Sequence, residues 1–371
     1  MSLFRIACCA ASFAFLTACD NQPVTPDLGE AALSAVADDA GAPTRQVARQ
    51  IDDLFVGDVG ETRAAILYYD GKIVAERYGE GYDGDTRFVS WSMAKTITAA
   101  AIGQLIADGK LELDAPAPIA RWQRPGDARG DVTLRHLLQM RSGLRHTEAG
   151  DPPYDSSEVR MLFLDGRDDM ASFAEAQPLE DEPGRRFEYS SNTTVILSDI
   201  ATRVLTGSSD PDTRVAAMSD HLSARLFDPL GMDSAFPEFD ASGTFIGGSL
   251  LHATARDYGQ FGEMLRRGGL SQSGARVLPQ SWVTAMTTPS PASPHYGMQT
   301  WLNRDHGEAE HPLFPERAPD TVFAMIGHMG QYVVVSPDQR LTLVRLGHSD
   351  ADERRRLLDE MADILELYPV R

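Results

Sequence analysis

Hydrophobic residues recur along this chain with two different periods, and the changes between them outline its architecture. Val47, Ile51 and Leu54 fall three or four apart and predict an amphipathic helix beginning about Gln46. Residues 63–69 and 72–78 are β-rich runs joined by Asp70-Gly71, a pair suited to the positive φ angles of a type I′ hairpin turn. Residues 92–108 return to helical spacing, with Met93, Ile97, Ala101, Ile102, Leu105 and Ile106 apolar and Gly109 as a stop. From 111 to about 247 the segments read as mostly helical, broken by Pro-Gly loops. Strand patterning resumes at 322–326, 331–336 and 340–346, and a last helix over about 351–367 follows Asp350, a good N-cap. Strands at both ends with helices between them predict an α/β (α+β) fold. One antiparallel sheet would come from both chain ends, flanked by helices, with a mainly helical lobe inserted in the middle. The sheet lobe is expected from about 46–90 and 290–371, the helical lobe from about 110–250.

Residues 1–45 stand outside this pattern. A single basic residue, Arg5, precedes an apolar run from Ile6 to Leu16 that is too short to span a bilayer and has the length of a signal-peptide core. The run ends in Leu16-Thr17-Ala18-Cys19, which is similar to a bacterial lipobox. Residues 1–18 are therefore expected to be a cleaved signal peptide and Cys19 the lipidated first residue of an exported protein. Lipid alone would hold it to a bacterial membrane, on the periplasmic side or at the cell surface. Residues 19–45, rich in Ala, Asp, Pro and Gly without a period, are expected to be a flexible tether, and 46–371 the folded domain. Cys8 and Cys9 leave with the signal, so disulfides play no part. A formal net charge of −20 argues against nucleic acid as a partner. Of 34 basic residues only Lys72, Lys95 and Lys110 are lysines. Arginine stays protonated in a protein whereas a buried lysine can lose its proton, so each lysine invites the question of what arginine could not do.

One of them lies in Ser92-Met93-Ala94-Lys95, at the start of a helix apolar enough to be buried. Spacing of three puts serine and lysine on one face, one turn apart. Free N–H groups at the helix start can stabilise an oxyanion, and a neutral lysine can accept the serine proton. The plain alternative is an N-cap serine beside an exposed lysine. A second signal is the Pro183-Gly184 turn leading to Phe187, Tyr189, Ser190 and Ser191. Tyr189 is either a core aromatic with a satisfied hydroxyl or a proton shuttle beside Ser92. A third is Gly327-His328-Met329-Gly330-Gln331 before the run 332–335, where Gly330 would let the backbone approach a substrate and the Gln331 amide could be an oxyanion donor. His328 reads as structural or substrate-facing rather than as a base. No Gly-x-Ser-x-Gly elbow is present. Asp305, His306, Glu308, Glu310 and His311 are metal-capable, but their spacing fits no zinc arrangement and reads as a solvated charge run.

Taken together, Ser-x-x-Lys, a Tyr-Ser motif about one hundred residues on, and a His-x-Gly motif before a late strand resemble the serine β-lactamase and penicillin-binding-protein superfamily. The branch is that of class C β-lactamases, D-alanyl-D-alanine peptidases and related esterases. Supporting stretches run from Asp108-Gly109-Lys110-Leu111 through Ser142-Gly143-Leu144 to Ala253-Thr254-Ala255-Arg256-Asp257 and Tyr296-Gly297. Within it, Tyr189-Ser190-Ser191-x-Thr193 and the Gly-His-x-Gly-Gln ending at Gln331 are similar to the 6-aminohexanoate-dimer-hydrolase-like group. The resemblance implies Ser92 as acylated nucleophile, Lys95 as its base, Tyr189 as general acid/base, and the amides of Ser92 and Gln331 as oxyanion hole, with no metal or cofactor. It implies a small ester, amide or peptide-like substrate. Ser191 stands where β-lactamases usually have asparagine, and His328-Met329 where lysine and a hydroxyl residue usually bind a carboxylate. Both departures disfavour a mandatory anionic substrate. The expectation is an esterase or amidase; the alternatives are a β-lactamase, a D-Ala-D-Ala carboxypeptidase, or a lipoprotein that is acylated without turnover.

Overall fold

The computed structural model describes residues 28–307 and 311–371; the expected signal peptide and Cys19 lie outside the described residues. In chain order, α1 (Glu30–Ser34) and α2 (Thr44–Val56) lead into a hairpin of β1 (Glu61–Tyr69) and β2 (Lys72–Tyr78). Its turn residues Asp70 and Gly71 have φ of 51° and 84°, as an Asp-Gly turn requires. A two-residue strand β3 (Phe88–Val89) and a 3-10 turn (Trp91–Met93) open α3 (Ala94–Ala107). Helices α4 (Leu134–Leu138), α5 (Ser157–Phe163), α6 (Met170–Glu175), α7 (Ser191–Thr206), α8 (Pro211–Leu222) and α9 (Asp228–Leu230) follow. Short strands β4 (Phe236–Pro237) and β5 (Leu251–Ala253) then pair with β3 in the order β3-β5-β4, a small second sheet that patterning over so few residues did not reveal. The chain finishes with α10 (Ala255–Arg266), α11 (Gln280–Met286), β6 (Trp301–Leu302), β7 (Phe323–Gly327), β8 (Gln331–Ser336), β9 (Leu341–His348) and α12 (Ala351–Glu366).

The main sheet is antiparallel in the order β2-β1-β9-β8-β7-β6, so the first hairpin lies against a strand from the far end of the chain. Ile66 faces Val344 and Leu67 faces Leu343 across that junction. Both faces are covered, which is why these strands read as nearly continuous apolar runs rather than alternating ones. Ile66, Tyr68, Val333 and Val344 join a core with α3 and α10; Leu67, Val334 and Leu343 join another with α2 and α12. Helix α10 approaches the sheet unusually closely because Gly259 and Gly262 face it. A Cβ at Gly259 would stand 2.3 Å from the Tyr68 ring, and one at Gly262 2.7 Å from Thr342 and Val333. Helix α3 is buried on every side from Ala94 to Leu105, as an all-round apolar helix must be.

The fold departs from expectation at the N-terminal side of the described residues. The stretch from 28 to 45 was expected to be flexible tether; instead it forms α1 and then runs antiparallel along β2. Val36 bridges to Ala75, with Ala37 N–H donating to Val74 O at 2.8 Å and Glu76 N–H donating to Ala35 O at 2.9 Å. Ala32, Val36 and Ala40 are buried. Three small apolar residues spaced by four are enough to seat it, a signal hidden by the Ala-, Asp- and Pro-rich composition.

Arg345 on β9 is completely buried and forms no ion pair among the described residues. Its guanidinium instead donates to Thr62 Oγ1 (3.0 Å), Gly330 O (2.9 Å), Val59 O (3.3 Å), Glu61 O (3.2 Å) and Ser349 Oγ (2.8 Å). Burial draws its pKa down to about 10, which leaves it charged at neutral pH. It thereby ties β1, β9 and the β7–β8 turn together. Replacing Arg345 with alanine would strand these acceptors and is expected to cost roughly 3–5 kcal/mol, read by denaturant unfolding. Arg345→Lys should recover only part of the loss, because an ammonium has three donors where the guanidinium has five.

Candidate active site

The site is built from the short strand before α3. Ser90 N–H donates to Leu251 O at 2.7 Å and its Oγ accepts from Leu251 N–H at 3.1 Å. The Tyr258 hydroxyl of α10 lies 2.9 Å from Phe88 O and 3.0 Å from Leu251 O. This framework holds Trp91 at a φ of 44°, a left-handed conformation that costs a bulky residue about 1–3 kcal/mol. The strained residue turns the chain abruptly and presents Ser92 in the 3-10 turn at the mouth of α3. On the other side, β7 reaches the same point: a Cβ on Gly327 would be 2.4 Å from Ser90 O, so only glycine lets the strand come this close.

Lys95 is buried, and its Nζ has three neighbours at hydrogen-bond distance: Ser191 Oγ at 2.8 Å, Gly248 O at 2.8 Å and Ser92 Oγ at 3.0 Å. Gly248 O is acceptor-only and requires an N–H. A neutral amine has two N–H groups and one lone pair; once Gly248 and Ser191 take the donors, the lone pair faces Ser92. Burial lowers the Lys95 pKa, against the opposing pull of Glu148 and Glu158. The serine–lysine pair expected from the motif is therefore assembled, and the exposed-lysine alternative is excluded by burial.

Tyr189 sits just ahead of α7, where Ser190 is the N-cap and accepts from Thr193 N–H at 3.3 Å. Its ring lies 4.9 Å from Lys95 Nζ and packs on Trp301 and Tyr296 at centroid distances of 5.2 and 5.9 Å. Burial, then the charge of Glu148, raises the Tyr189 pKa well above that of an ordinary phenol, while a hydrogen bond with Ser92 opposes the rise. Tyr189 is thus in reach of Ser92 and protonated at neutral pH.

Two carboxylates that patterning missed complete the site. Glu148, in the loop after α4, accepts from Ser191 N–H and from Ser191 Oγ, both at 2.6 Å, and lies 3.8 Å from Lys95 Nζ. Glu158 on α5 has its Oε1 3.0 Å from Ser191 Oγ. Neither belongs to a local motif; each arrives through the tertiary path of the helical lobe. Gly248 was also overlooked, although the pair Gly247-Gly248 at the lobe boundary was a legible sign of close packing. A Cβ at Gly247 would be 2.2 Å from Thr98 Oγ1 and one at Gly248 2.9 Å from Ser191 O.

The third motif needs correction. Gln331 is on an interior strand, paired with Gly327 of β7, so its amide is turned into the sheet and is not an oxyanion donor. Its side chain secures the turn instead, with Nε2 donating to Gly347 O at 2.6 Å and Oε1 accepting from Gly347 N–H at 3.0 Å. Gly330, expected to face substrate, rests on Arg345: a Cβ there would be 2.8 Å from Nη1, and its φ is 82°. His328 does flank the nucleophile, its ring 5.5 Å from that of Trp91. Burial, then Arg354 and His348, lower its pKa, so it is neutral at pH 7. The expected solvated run also folds back on itself: ligand atoms of Asp305, His306 and His311 lie within 4.8 Å of one another, while Glu308 and Glu310 lie outside the described residues.

Against known proteins, a stretch of 232 residues is 26% identical to the 6-aminohexanoate-dimer hydrolase of Paenarthrobacter ureafaciens, covering 61% of this chain and 57% of that protein. A stretch of 180 residues is 34% identical to esterase EstB of Burkholderia gladioli, covering 45% of this chain and 43% of that protein. The chain thus spans only about half the length of these curated relatives. Among solved structures, a family VIII carboxylesterase superposes with a TM-score of 0.65 at 16% identity, over 89% of this chain and 98% of that one. A likeness at that identity speaks for the fold, which is the antiparallel-sheet and helical-lobe architecture expected from the patterning. Residues 51–367 match the Beta-lactamase family, and with that match across nearly the whole folded region the chain belongs to it.

Proposed function

We propose that this protein is a serine hydrolase that cleaves esters or amides through an acyl-Ser92 intermediate. The observation that carries the reading is the buried Lys95 Nζ 3.0 Å from Ser92 Oγ; when the amine is neutral, Gly248 O and Ser191 Oγ take its two N–H groups and its lone pair is left for the Ser92 proton. Ser92 attacks the carbonyl as its proton passes to Lys95, forming the Oγ–acyl bond. The negative charge then forms on the carbonyl oxygen, for which the Ser92 amide at the helix mouth is one donor. A second donor that fits is the His328 amide. Successive strand amides alternate in direction, so with Gly327 paired to Gln331, His328 points away from β8. Tyr189 delivers a proton to the leaving group as the C–O or C–N bond breaks, and water then releases the acyl chain.

The acid-lined surroundings bear on the substrate. Glu148 lies 3.8 Å from Lys95 Nζ, Glu158 touches Ser191, and the residue at the usual carboxylate-binding position, His328, is neutral at pH 7. An anionic substrate would meet the repulsion of Glu148, and the side chain at that position carries no charge of its own to offset it. Neutral esters and amides fit better, and one relative is named an esterase. We also infer export and lipid attachment through Cys19, supported by the apolar run Ile6 to Leu16 and the Leu-Thr-Ala-Cys that ends it.

The purified chain is expected to turn over p-nitrophenyl butyrate and to leave nitrocefin intact. Ser92→Ala and Lys95→Arg should each lower kcat by about 10³-fold or more, since members of a catalytic unit fail together. Full activity in Lys95→Arg would refute the proton-acceptor role. The sign of the pH dependence follows from Lys95: the neutral form is the active one, so kcat/KM should rise with pH through a midpoint below the ordinary lysine value of 10.5. A rate that falls as Lys95 deprotonates would contradict the assignment. For the anchor, cells expressing the chain should incorporate radiolabelled palmitate into it, and Cys19→Ser should abolish the label.

A further inference from the structure

Ser191 Oγ touches three polar groups at once: Lys95 Nζ at 2.8 Å, Glu148 Oε1 at 2.6 Å and Glu158 Oε1 at 3.0 Å. A hydroxyl has one proton to give and two lone pairs to receive. One lone pair takes the Lys95 N–H, and the proton goes to one carboxylate. The other carboxylate oxygen would then face a lone pair, a repulsive contact unless that carboxyl carries a proton of its own. Glu148 is the natural acceptor, because it is nearer and because its second oxygen takes the Ser191 backbone N–H at 2.6 Å. Glu158 is left as the group that must donate.

We propose that Glu158 is a neutral carboxylic acid in the working enzyme, donating to Ser191 Oγ and so positioning the hydroxyl that orients Lys95, while Glu148 is the anion of the pair. The inference rests on the proposed role of Lys95. Every hydrogen-bonding capacity of Ser191 is then used: two bonds received, from Lys95 and Glu158, and one given, to Glu148. Glu158 keeps its proton throughout acylation, which moves the Ser92 proton to Lys95 alone. The electrostatics agree: burial and then the Glu148 charge raise the Glu158 carboxyl to about 7 against the pull of the Lys95 cation, and that pull is gone when Lys95 is neutral. The groups that face the pair are Lys95 from α3, Tyr189 and Ser191 at the start of α7, and Tyr296, with His328 beyond. His146, in the same loop as Glu148, is neutral because burial lowers its pKa to about 4. One negative charge near Lys95 instead of two lets the lysine give up its proton more easily, so an acid-lined site can still hold a free amine.

Glu158 acts through Ser191 and Lys95 and is a positioning residue, so its test reads the pH midpoint as well as the rate. The rate at which a fluorophosphonate labels Ser92 in the full chain reports nucleophilicity without a known substrate. Its pH profile is compared among wild type, Glu158→Ala, Glu158→Gln and Glu148→Gln. Glu158→Ala should lower the plateau by about tenfold, and Glu158→Gln, a neutral donor of the same shape, should restore it to within about threefold with the midpoint unmoved. Glu148→Gln removes a true charge and should shift the midpoint to lower pH by about one unit or more. A midpoint that drops in Glu158→Gln as it does in Glu148→Gln would mean that Glu158 is ionised, and the proposal fails. So it does if Glu158→Ala labels like wild type. Infrared difference spectroscopy gives an answer independent of labelling. Wild type below pH 7 should carry a protonated-carboxyl carbonyl band that Glu158→Gln lacks, and absence of that band in folded wild type overturns the proposal. If Ser92 is never labelled, the hydrolase reading fails while the band still decides the state of Glu158.

Discussion

Everything in the site depends on keeping one amine dry and surrounded. An ammonium in bulk water holds its proton to high pH; enclosed among Gly248 O, Ser191 Oγ and Ser92 Oγ, the same group can exist uncharged with its lone pair aimed in one direction. Desolvation is a collective property. It requires α3 to be buried on all sides, α7 to cross beside it, and the double glycine at 247–248 to fit between them. Loosening any of these would admit water, and a hydrated Lys95 would be a cation like any other.

The division of labour between the lobes follows from that requirement. The helical lobe supplies Lys95's enclosure together with Tyr189, Ser191, Glu148 and Glu158. The sheet supplies the opposite wall, where Gly327 brings β7 against Ser90. Ser92 lies at the seam, held by a strained Trp91 that the small sheet of β3, β4 and β5 keeps in place. Arg345 and Gln331 anchor the β7–β8 turn from beneath, so the wall facing the nucleophile is fixed by side chains that never meet substrate.

What could be read in advance was what is local. The hairpin at Asp70-Gly71, the serine and lysine one helical turn apart, and the Tyr189-Ser190-Ser191 helix entry each depend on a few neighbouring residues. The antiparallel sheet from both chain ends was legible because β-period runs cluster at the termini. Glu148 and Glu158 were not, since an acidic residue in a polar loop or on an amphipathic helix looks the same whether it faces solvent or a buried amine. Gln331 misled for a related reason: the motif marks where the turn lies but not which amides the sheet consumes, and that depends on strand order. The histidines at 306 and 311 fit no linear metal-binding spacing, yet a loop that doubles back brings together residues that no repeat would align.

The segment from 35 to 37 that runs along β2 has a consequence for how this molecule can be handled. Without it, β2 would be the outer strand of the sheet, with a row of bare N–H and C=O groups open to another chain. The bridge at Val36 covers part of that border, and the Tyr368 hydroxyl clasps the same segment at Ala40 O from the other terminus. Trimming the chain back to Gln46, where the first strong helical period begins, would strip off this selvedge and leave a sheet ready to stitch itself to its neighbours.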